Sequence, residues 1–410
     1  MRTLDTMSIP ESAKTAFLVA AMCIAQVLGM LGVFAFPALL PHFMKIWGLT
    51  NSQAGWISGI YFAGYSIAVP VLTSMTDRID SRRIYLASCF VSMLANIGFA
   101  FFSQGFWTAL IFRALCGIGL AGTFIPGLKA LIDRLENRFL PRAIAFYTAC
   151  FGLGMSLSFY YAGIIFKWLG WKPVFFIAAA CSGFVLLLCL IILVPRPIQR
   201  TEKPTPGILD FRPVWQNSLA RTYIIAYMCH MWEMFAARSW MVAFLTFAMT
   251  LQASPATFMA PTTVMAVAGI FGMIASILFG ELAVKFGRRK IVSAVMTVSG
   301  LFGLSLGFLA DAPFPVLICL CIGYTVFFQG DSAAIHAGVI TAADPDRRGA
   351  TMALQSLAGF AAASLSPIAV GFILDLTGGG NNTLSWGLTF GAMGITAFLG
   401  LFLLFRTRNN

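Results

Sequence analysis

Charge is scarce in this chain. Only 10% of its 410 residues are Asp, Glu, Lys or Arg, against about 25% in soluble globular proteins. A water-soluble body of this size has to solvate its whole exterior, so the composition excludes one. Long polar connections are also missing. Residues 195–218, rich in proline, form the longest, and no other connection has room for a folded domain. Without such a domain, and without a GxxxxGK[ST] phosphate-cradling sequence, ATP-driven and other enzymatic readings fall away. The cysteines all fall in apolar runs rather than loops, which offers neither a disulfide framework nor a zinc-ligand spacing. No metal and no cofactor is expected.

What fills the chain is apolar sequence, 59% of it hydrophobic. Apolar runs lie at 15–40, 53–76, 83–103, 106–133, 140–166, 171–194, 219–250, 258–284, 290–310, 314–342, 348–376 and 382–405. Each meets or exceeds the ~20 residues that carry a helix across a ~30 Å hydrocarbon core. Lipid offers no hydrogen bonds, so a helix, which satisfies its own backbone, is the form these runs must take. Pro37, Pro41 and Pro367 are expected to kink their helices rather than break them. The first run is too long for a signal-peptide core and lacks a convincing cleavage site, so it is read as the first span. The predicted fold is an all-α membrane protein of twelve transmembrane helices. Residues 1–194 form one six-helix bundle, 195–218 a cytoplasmic linker and 219–410 a second bundle.

A net charge of +12 could suggest a nucleic-acid partner, but its placement points to a membrane. Of the 27 Lys and Arg, 21 lie in the even-numbered connections or the termini, and only Lys45, Lys167 and Lys172 in the odd-numbered ones. This positive-inside asymmetry predicts both termini in the cytoplasm and a bilayer as the partner. Trp47, Trp107, Trp168 and Trp171 fall near the opposite ends of their spans and read as interfacial anchors.

The two halves repeat. Thr73-Ser-Met-Thr-Asp-Arg-Ile-Asp-Ser-Arg-Arg-Ile84 follows the second span, and Gly280-Glu-Leu-Ala-Val-Lys-Phe-Gly-Arg-Arg-Lys-Ile291 follows the eighth, offset by 207 residues. Two parallel six-helix repeats are a known transporter design. The Gly280–Ile291 segment resembles the G-x-L-a-D-r-x-G-r-r-k loop of the major facilitator superfamily. The first copy keeps Asp77, Arg78, Arg82 and Arg83 of that motif but has Thr73 and Asp80 where the family prefers glycine. Arg113-Ala-Leu-Cys-Gly-Ile-Gly-Leu-Ala-Gly122 resembles the family's arginine- and glycine-bearing fourth helix. Tyr227-Met-Cys-His-Met-Trp-Glu-Met-Phe-Ala-Ala-Arg-Ser-Trp240, with Gly330-Asp-Ser and Arg348-Gly-Ala, is similar to bacterial permeases grouped with cyanate and nitrate/nitrite carriers. No arginine lies inside the second or eighth span, where the nitrate carriers proper use one. The resemblance implies a transporter of the cytoplasmic (inner) membrane, monomeric, with a central site lined by spans one, four, seven and ten. It also implies a cytoplasmic gate at Asp77, Arg78, Arg82 and Arg83, with Asp77 accepting from a cation such as Arg134 or Arg142 or from a helix N-terminus; plain positive-inside anchoring is the competing reading.

Ionisable side chains inside spans cost about 2.5–3.5 kcal/mol each on insertion scales and are functional candidates when they face a cavity. They are Arg113, Lys129, His230, Glu233, Arg238, Asp331 and His336, with Gln26 and Gln329 as polar neighbours. His230 and Glu233 are three apart and share a helix face, which Tyr227 extends. Arg238 is about 140° round an ideal helix from Glu233, so the two do not pair without help. Glu233 is the leading proton-coupling carboxylate; the competing reading is a structural polar network with His230. Asp331 is a second proton site, a partner for Arg238, or a packing hydrogen bond. Arg238 suits an anion through its forked guanidinium. Arg113 faces the cavity or braces the bundle, and Lys129 joins the pathway or snorkels toward the interface. His336, Tyr61 and Tyr65 are further lining candidates, as readily explained by packing. Gln26 stands at the repeat-equivalent position of Glu233, so both are expected to face the pseudo-axis. Three cations against two acids within the spans favour an anionic substrate. The reading is a secondary transporter that takes up a small anionic solute with protons by alternating access. Proton-driven efflux of drugs or metabolites is the first alternative and a transport-dead membrane sensor the second.

Overall fold

A computed structural model of the protein describes residues 11–196, 211–252 and 259–406. Much of the 195–218 linker therefore lies outside the described residues. The described chain is a succession of helices. Ten are long and apolar enough to cross a membrane, and the first and seventh spans complete the twelve. The seventh, Ser218–Thr250, is the longest helix, but Arg221, Glu233 and Arg238 lower its hydropathy. The first is broken into Glu11–Gly29, Ala35–Ala38 and Leu40–Trp47.

The other spans follow the apolar runs closely. The second is Asn51–Met75, the third Ser81–Phe102, the fifth Leu140–Leu169 and the sixth Trp171–Ile192. In the second half the eighth is Pro261–Phe286, the ninth Arg288–Leu306, the eleventh Arg348–Leu376 and the twelfth Thr383–Arg406. The fourth and tenth spans are each two helices end to end, Phe106–Ala121 with Ile125–Ile132, and Phe314–Gly330 with Ser332–Ala342. Their breaks fall at repeat-equivalent places, around Thr123 and at Asp331. A short helix, Arg212–Gln216, precedes the seventh span.

None of the three prolines singled out sits at a helix break. Pro367 sits inside the unbroken eleventh span. The break in the first span falls at 30–34, ahead of Pro37 and around Gly32. Of the four tryptophans expected as anchors, Trp107 and Trp168 are 72% and 76% exposed. Trp47 and Trp171 instead meet edge to face at 5.8 Å and pack on Phe43, because their rings close the far end of the first bundle.

The outside of the molecule is apolar: Phe17, Ile67, Ile191, Val284, Leu376 and Phe402 all stand out into the surroundings. A water-facing surface would not concentrate such groups; lipid accepts them. The two bundles, each of six spans, meet along spans two and eleven and along spans five and eight. With an even number of spans, both described chain ends lie at one end of the molecule, called here the terminal end; the opposite end is the far end. At the far end the contact is close. A Cβ on Gly55 would lie 2.4 Å from the Pro367 carbonyl oxygen, and one on Gly59 2.1 Å from that of Ser364. Only glycine permits helix backbones to approach this near.

Candidate functional site

The break in the first span leaves backbone groups that lipid cannot satisfy. Two side chains meet them. Arg113, fully buried, donates to the carbonyls of Gly32 at 3.1 Å and Val33 at 2.7 Å. The Ser158 hydroxyl of span five donates to Leu31 O at 2.5 Å and accepts from the Phe34 N–H at 2.9 Å. The guanidinium of Arg113 lies 4.2 Å over the Tyr61 ring, within cation–π range. Of the two roles open to Arg113, bracing is the one this geometry serves, and Tyr61 packs beneath it.

Gln26 and Glu233 prove equivalent in place but not in the direction expected. Gln26 borders a cavity of about 10 Å³ with Tyr85, Cys89, Ser92, Thr123 and Ser182, all from its own half; the space suits a single water. Glu233, 3% exposed, accepts from the Ser299 hydroxyl of span nine at 2.8 Å, and the Tyr324 phenol of span ten approaches the same carboxyl. Both side chains thus point into the interior of their own bundle, away from the seam between the halves.

Asp331 does not reach Arg238. Its carboxylate meets His230 Nδ1 at 2.7 Å, with both side chains buried. The Nε2 atom of His230 is buried without a hydrogen-bond partner. Asp331 sits at the break in span ten, where the helix interruption gives it room to turn inward. The interior of the second bundle therefore holds two carboxylates and one histidine, with no arginine or lysine paired to either acid among the described residues.

Arg238 is elsewhere, at the seam. It is 6% exposed. It donates to Gln329 Oε1 at 2.9 Å and to the Met155 thioether at 3.3 Å, and it stands 5.8 Å over Phe34. Met155 and Phe34 belong to the first half, so this side chain bridges the two. No carboxylate among the described residues pairs with it. Aromatic rings from both halves surround the position. Phe34 stacks on Phe159 at 4.8 Å, Phe62 meets Phe235 at 4.4 Å, and Tyr65 meets Phe360 at 4.2 Å.

Nearer the terminal end, Lys129 pairs with Asp133 at 3.6 Å, one turn along its own helix and partly exposed. His336, at the position repeat-equivalent to Lys129, is exposed and bonds Gln355 at 3.0 Å. Tyr227 lies between the two histidines, its ring 5.9 Å from His230 and 6.3 Å from His336.

The terminal-end loop differs from expectation in its acid. Arg134 pairs with Asp80 at 3.3 Å, not with Asp77, which is exposed along with Arg78, Arg83 and Arg142. Asp80 also accepts from the backbone N–H of Arg82 and of Arg196, each at 3.0 Å. Burial alone would raise the Asp80 pKa. The two backbone donors and the Arg134 guanidinium outweigh it and hold the carboxyl below its ordinary range. Arg134 and Arg82 further donate to the Val194 and Leu190 carbonyls. The network ties the start of span three to the ends of spans four and six inside the first half. Asp80 replaces the family's glycine, so it takes a role that motif matching cannot assign.

Sequence reading passed over a further polar contact between the halves. Asp375, near the end of span eleven, accepts from Asn51 N at 3.0 Å, Asn51 Nδ2 at 2.8 Å, Ser52 N at 2.8 Å and Ser52 Oγ at 2.6 Å. An acid one residue from a span end looks like an ordinary interfacial charge. Its only signal was the two unpaired helix-start donors of span two, far away in sequence.

Residues 22–272 and 250–410 match the family model of the Major Facilitator Superfamily. A probable sphingolipid transporter, spinster homolog 1 of Arabidopsis thaliana, is 26% identical over 173 residues, covering 40% of this chain and 34% of that protein. The match thus spans about a third of that relative's length. The MFS-type transporter YceJ of Bacillus subtilis (strain 168) is 22% identical over 349 residues, 84% of this chain and 86% of the other. The crystal structure of a bacterial homologue of the human lysosomal transporter spinster, inward-facing and unoccupied, aligns with a TM-score of 0.78 at 15% identity, covering 97% of each chain. At that identity the likeness speaks for the fold. These matches give no support to the narrower resemblance to cyanate and nitrate/nitrite permeases.

Proposed function

The chain belongs to the Major Facilitator Superfamily, and from that premise we propose that this membrane transporter takes up a small monovalent anion together with a proton, by alternating access. One observation carries the reading. Arg238 is a buried guanidinium at the seam between the halves whose hydrogen-bond partners among the described residues are an amide and a thioether. A buried charge without a counter-ion is costly. An anion entering the seam supplies the missing charge and displaces weak acceptors, with the forked donors matched to a carboxylate or oxyanion.

The proton side of the reading rests on the second bundle's interior. Glu233 lies five residues from Arg238 on the same helix, and the His230–Asp331 pair lies beside it. Protonation of Glu233 removes a charge from that interior and lets span seven settle differently against spans nine and ten. Gln329 and Tyr65 line the seam, Tyr227 and His336 its terminal-side approach, and Lys129 the mouth. In this reading the halves at 1–194 and 219–410 rock about the seam, joined by the 195–218 linker. Both termini face the cytoplasm of a bacterial inner membrane, as the distribution of Lys and Arg supports, and the monomer is the working unit.

Efflux of an amphipathic solute is the competing reading. The aromatic lining of the seam favours it, as does the sphingolipid named for one spinster relative. A thermal-shift screen of purified protein with formate, benzoate, nicotinate and nitrate tests the anion site. At least one anion is expected to stabilise the wild type and not Arg238→Gln. Equal stabilisation of both proteins removes Arg238 from the site. With the anion found, Glu233→Gln is expected to abolish proton-driven accumulation in proteoliposomes but retain counterflow exchange. Concentrative export from right-side-out vesicles would favour the competing direction.

A further inference from the structure

The polar contact at the far end has a geometry that suits a latch. Span two starts at Asn51 behind a Thr50–Gln53 capping box. The first backbone N–H groups of a helix have no partner inside it and carry the positive end of its dipole. Thr50 Oγ1 takes the N–H of Gln53. Those of Asn51 and Ser52 go to Asp375, which belongs to the other half of the molecule. The Asn51 amide and the Ser52 hydroxyl complete the set. Behind this point spans two and eleven run in close contact. A Cβ on Gly371 would fall 2.2 Å from the Asn51 carbonyl oxygen, and Gly55 and Gly59 meet span eleven as closely. Trp240 of span seven donates to the Pro367 carbonyl at 3.0 Å and backs the same stretch.

We propose that Asp375 is a detachable clasp: its carboxylate grips the start of span two to hold the far ends of the halves together, and it must let go for the far end to open. The inference rests on alternating access but not on the anion or the proton. A carboxylate on two backbone N–H groups and two side-chain donors makes short charge-assisted bonds, and all are made between the two halves, where the far end has to part. The cap box of Thr50 and Gln53 stays with span two in either state, so release leaves the helix intact and exposes only two N–H groups to water.

The test uses Ser364→Cys as reporter. Ser364 is 8% exposed, beneath Gly59 in the seam. Purified protein in nanodiscs is labelled with a polar maleimide, and peptide-level mass spectrometry reads residue 364 apart from the native cysteines. Asp375→Asn keeps the shape but loses the charge, and it is expected to raise the labelling rate about tenfold, the scale of a charged hydrogen bond lost. An unchanged rate in a folded, monodisperse Asp375→Asn protein overturns the clasp while leaving the transport reading intact. A second protein guards against misfolding: Ser52→Cys with Asp375→Cys is expected to label fast at residue 364, and slowly once a short bismaleimide joins the two. If joining them leaves labelling fast, the far end does not open there and the clasp is refuted.

Discussion

Arg113 and Arg238 are both buried near the middle of the fold, and their surroundings give them opposite uses. Arg113 satisfies two carbonyls that the broken first span cannot satisfy itself. Its replacement by Leu leaves them unpaired, so Arg113→Leu is expected to lower stability by about 2–4 kcal/mol, read as a lower melting temperature. Arg238 holds no carboxylate, and Arg238→Leu removes an uncompensated charge from the interior. That variant is expected to melt no lower than the wild type while losing all anion-induced stabilisation, the pattern of a site that holds strain for function. If Arg238→Leu falls apart and Arg113→Leu does not, the two roles are exchanged. Sequence identified both arginines as exceptional but could not separate them. Nor could it show that Gln26 and Glu233 point inward rather than to the seam. In a span the lipid side and the protein side are both apolar, so periodicity does not mark which face a polar residue shares with a partner.

At the scale of elements, the twelve runs were legible because length and hydropathy alone decide them. The breaks were not, since residues 30–34 and 122–124 are as apolar or small as their neighbours. What marks them is the distant group that satisfies their backbone, Arg113 and Ser158 for the first. The same holds for the loop between spans two and three, where the family motif pointed to Asp77 and the structure uses Asp80. Asp80→Asn retains an N-cap for span three but loses the charge that Arg134 and two backbone N–H groups hold. It is expected to cost about 1–2 kcal/mol at neutral pH. Because the Asp80 pKa is depressed in the fold, its contribution is complete above the ordinary carboxylate value of about 4. It is lost as pH falls through the lower folded value. Thermal melts of wild type and Asp80→Asn should therefore differ at pH 7 and converge toward pH 3. A constant gap across that range would mean the carboxylate's charge is not what ties these spans.

For the whole molecule, the placement of charge predicts how transport responds to voltage. Among the described residues the membrane interior holds two cations without a carboxylate partner, Arg113 fixed on the carbonyls of the first span and Arg238 at the seam, and one carboxylate without a cationic partner, Glu233 in the second bundle. The His230–Asp331 pair is common to both forms. The empty carrier then presents Arg238 positive against Glu233 negative. Loaded with one monovalent anion and one proton, it presents Arg238 against the anion, with Glu233 neutral. Arg113 stays in place in both forms, so the loaded form differs from the empty one by no net charge, and a cargo with no net charge gains nothing from the potential, whereas each uncancelled unit charge is worth about 2.3 kcal/mol per 100 mV. Uptake of the anion identified by thermal shift is therefore expected to follow the pH gradient and to change less than about twofold when a potassium diffusion potential of that size is imposed, since full sensitivity of one charge would alter an equilibrium by more than tenfold. Strong acceleration by an inside-negative potential would mean that a second proton crosses with each anion. Its carrier would then be the His230–Asp331 pair, and Asp331→Asn should restore voltage independence.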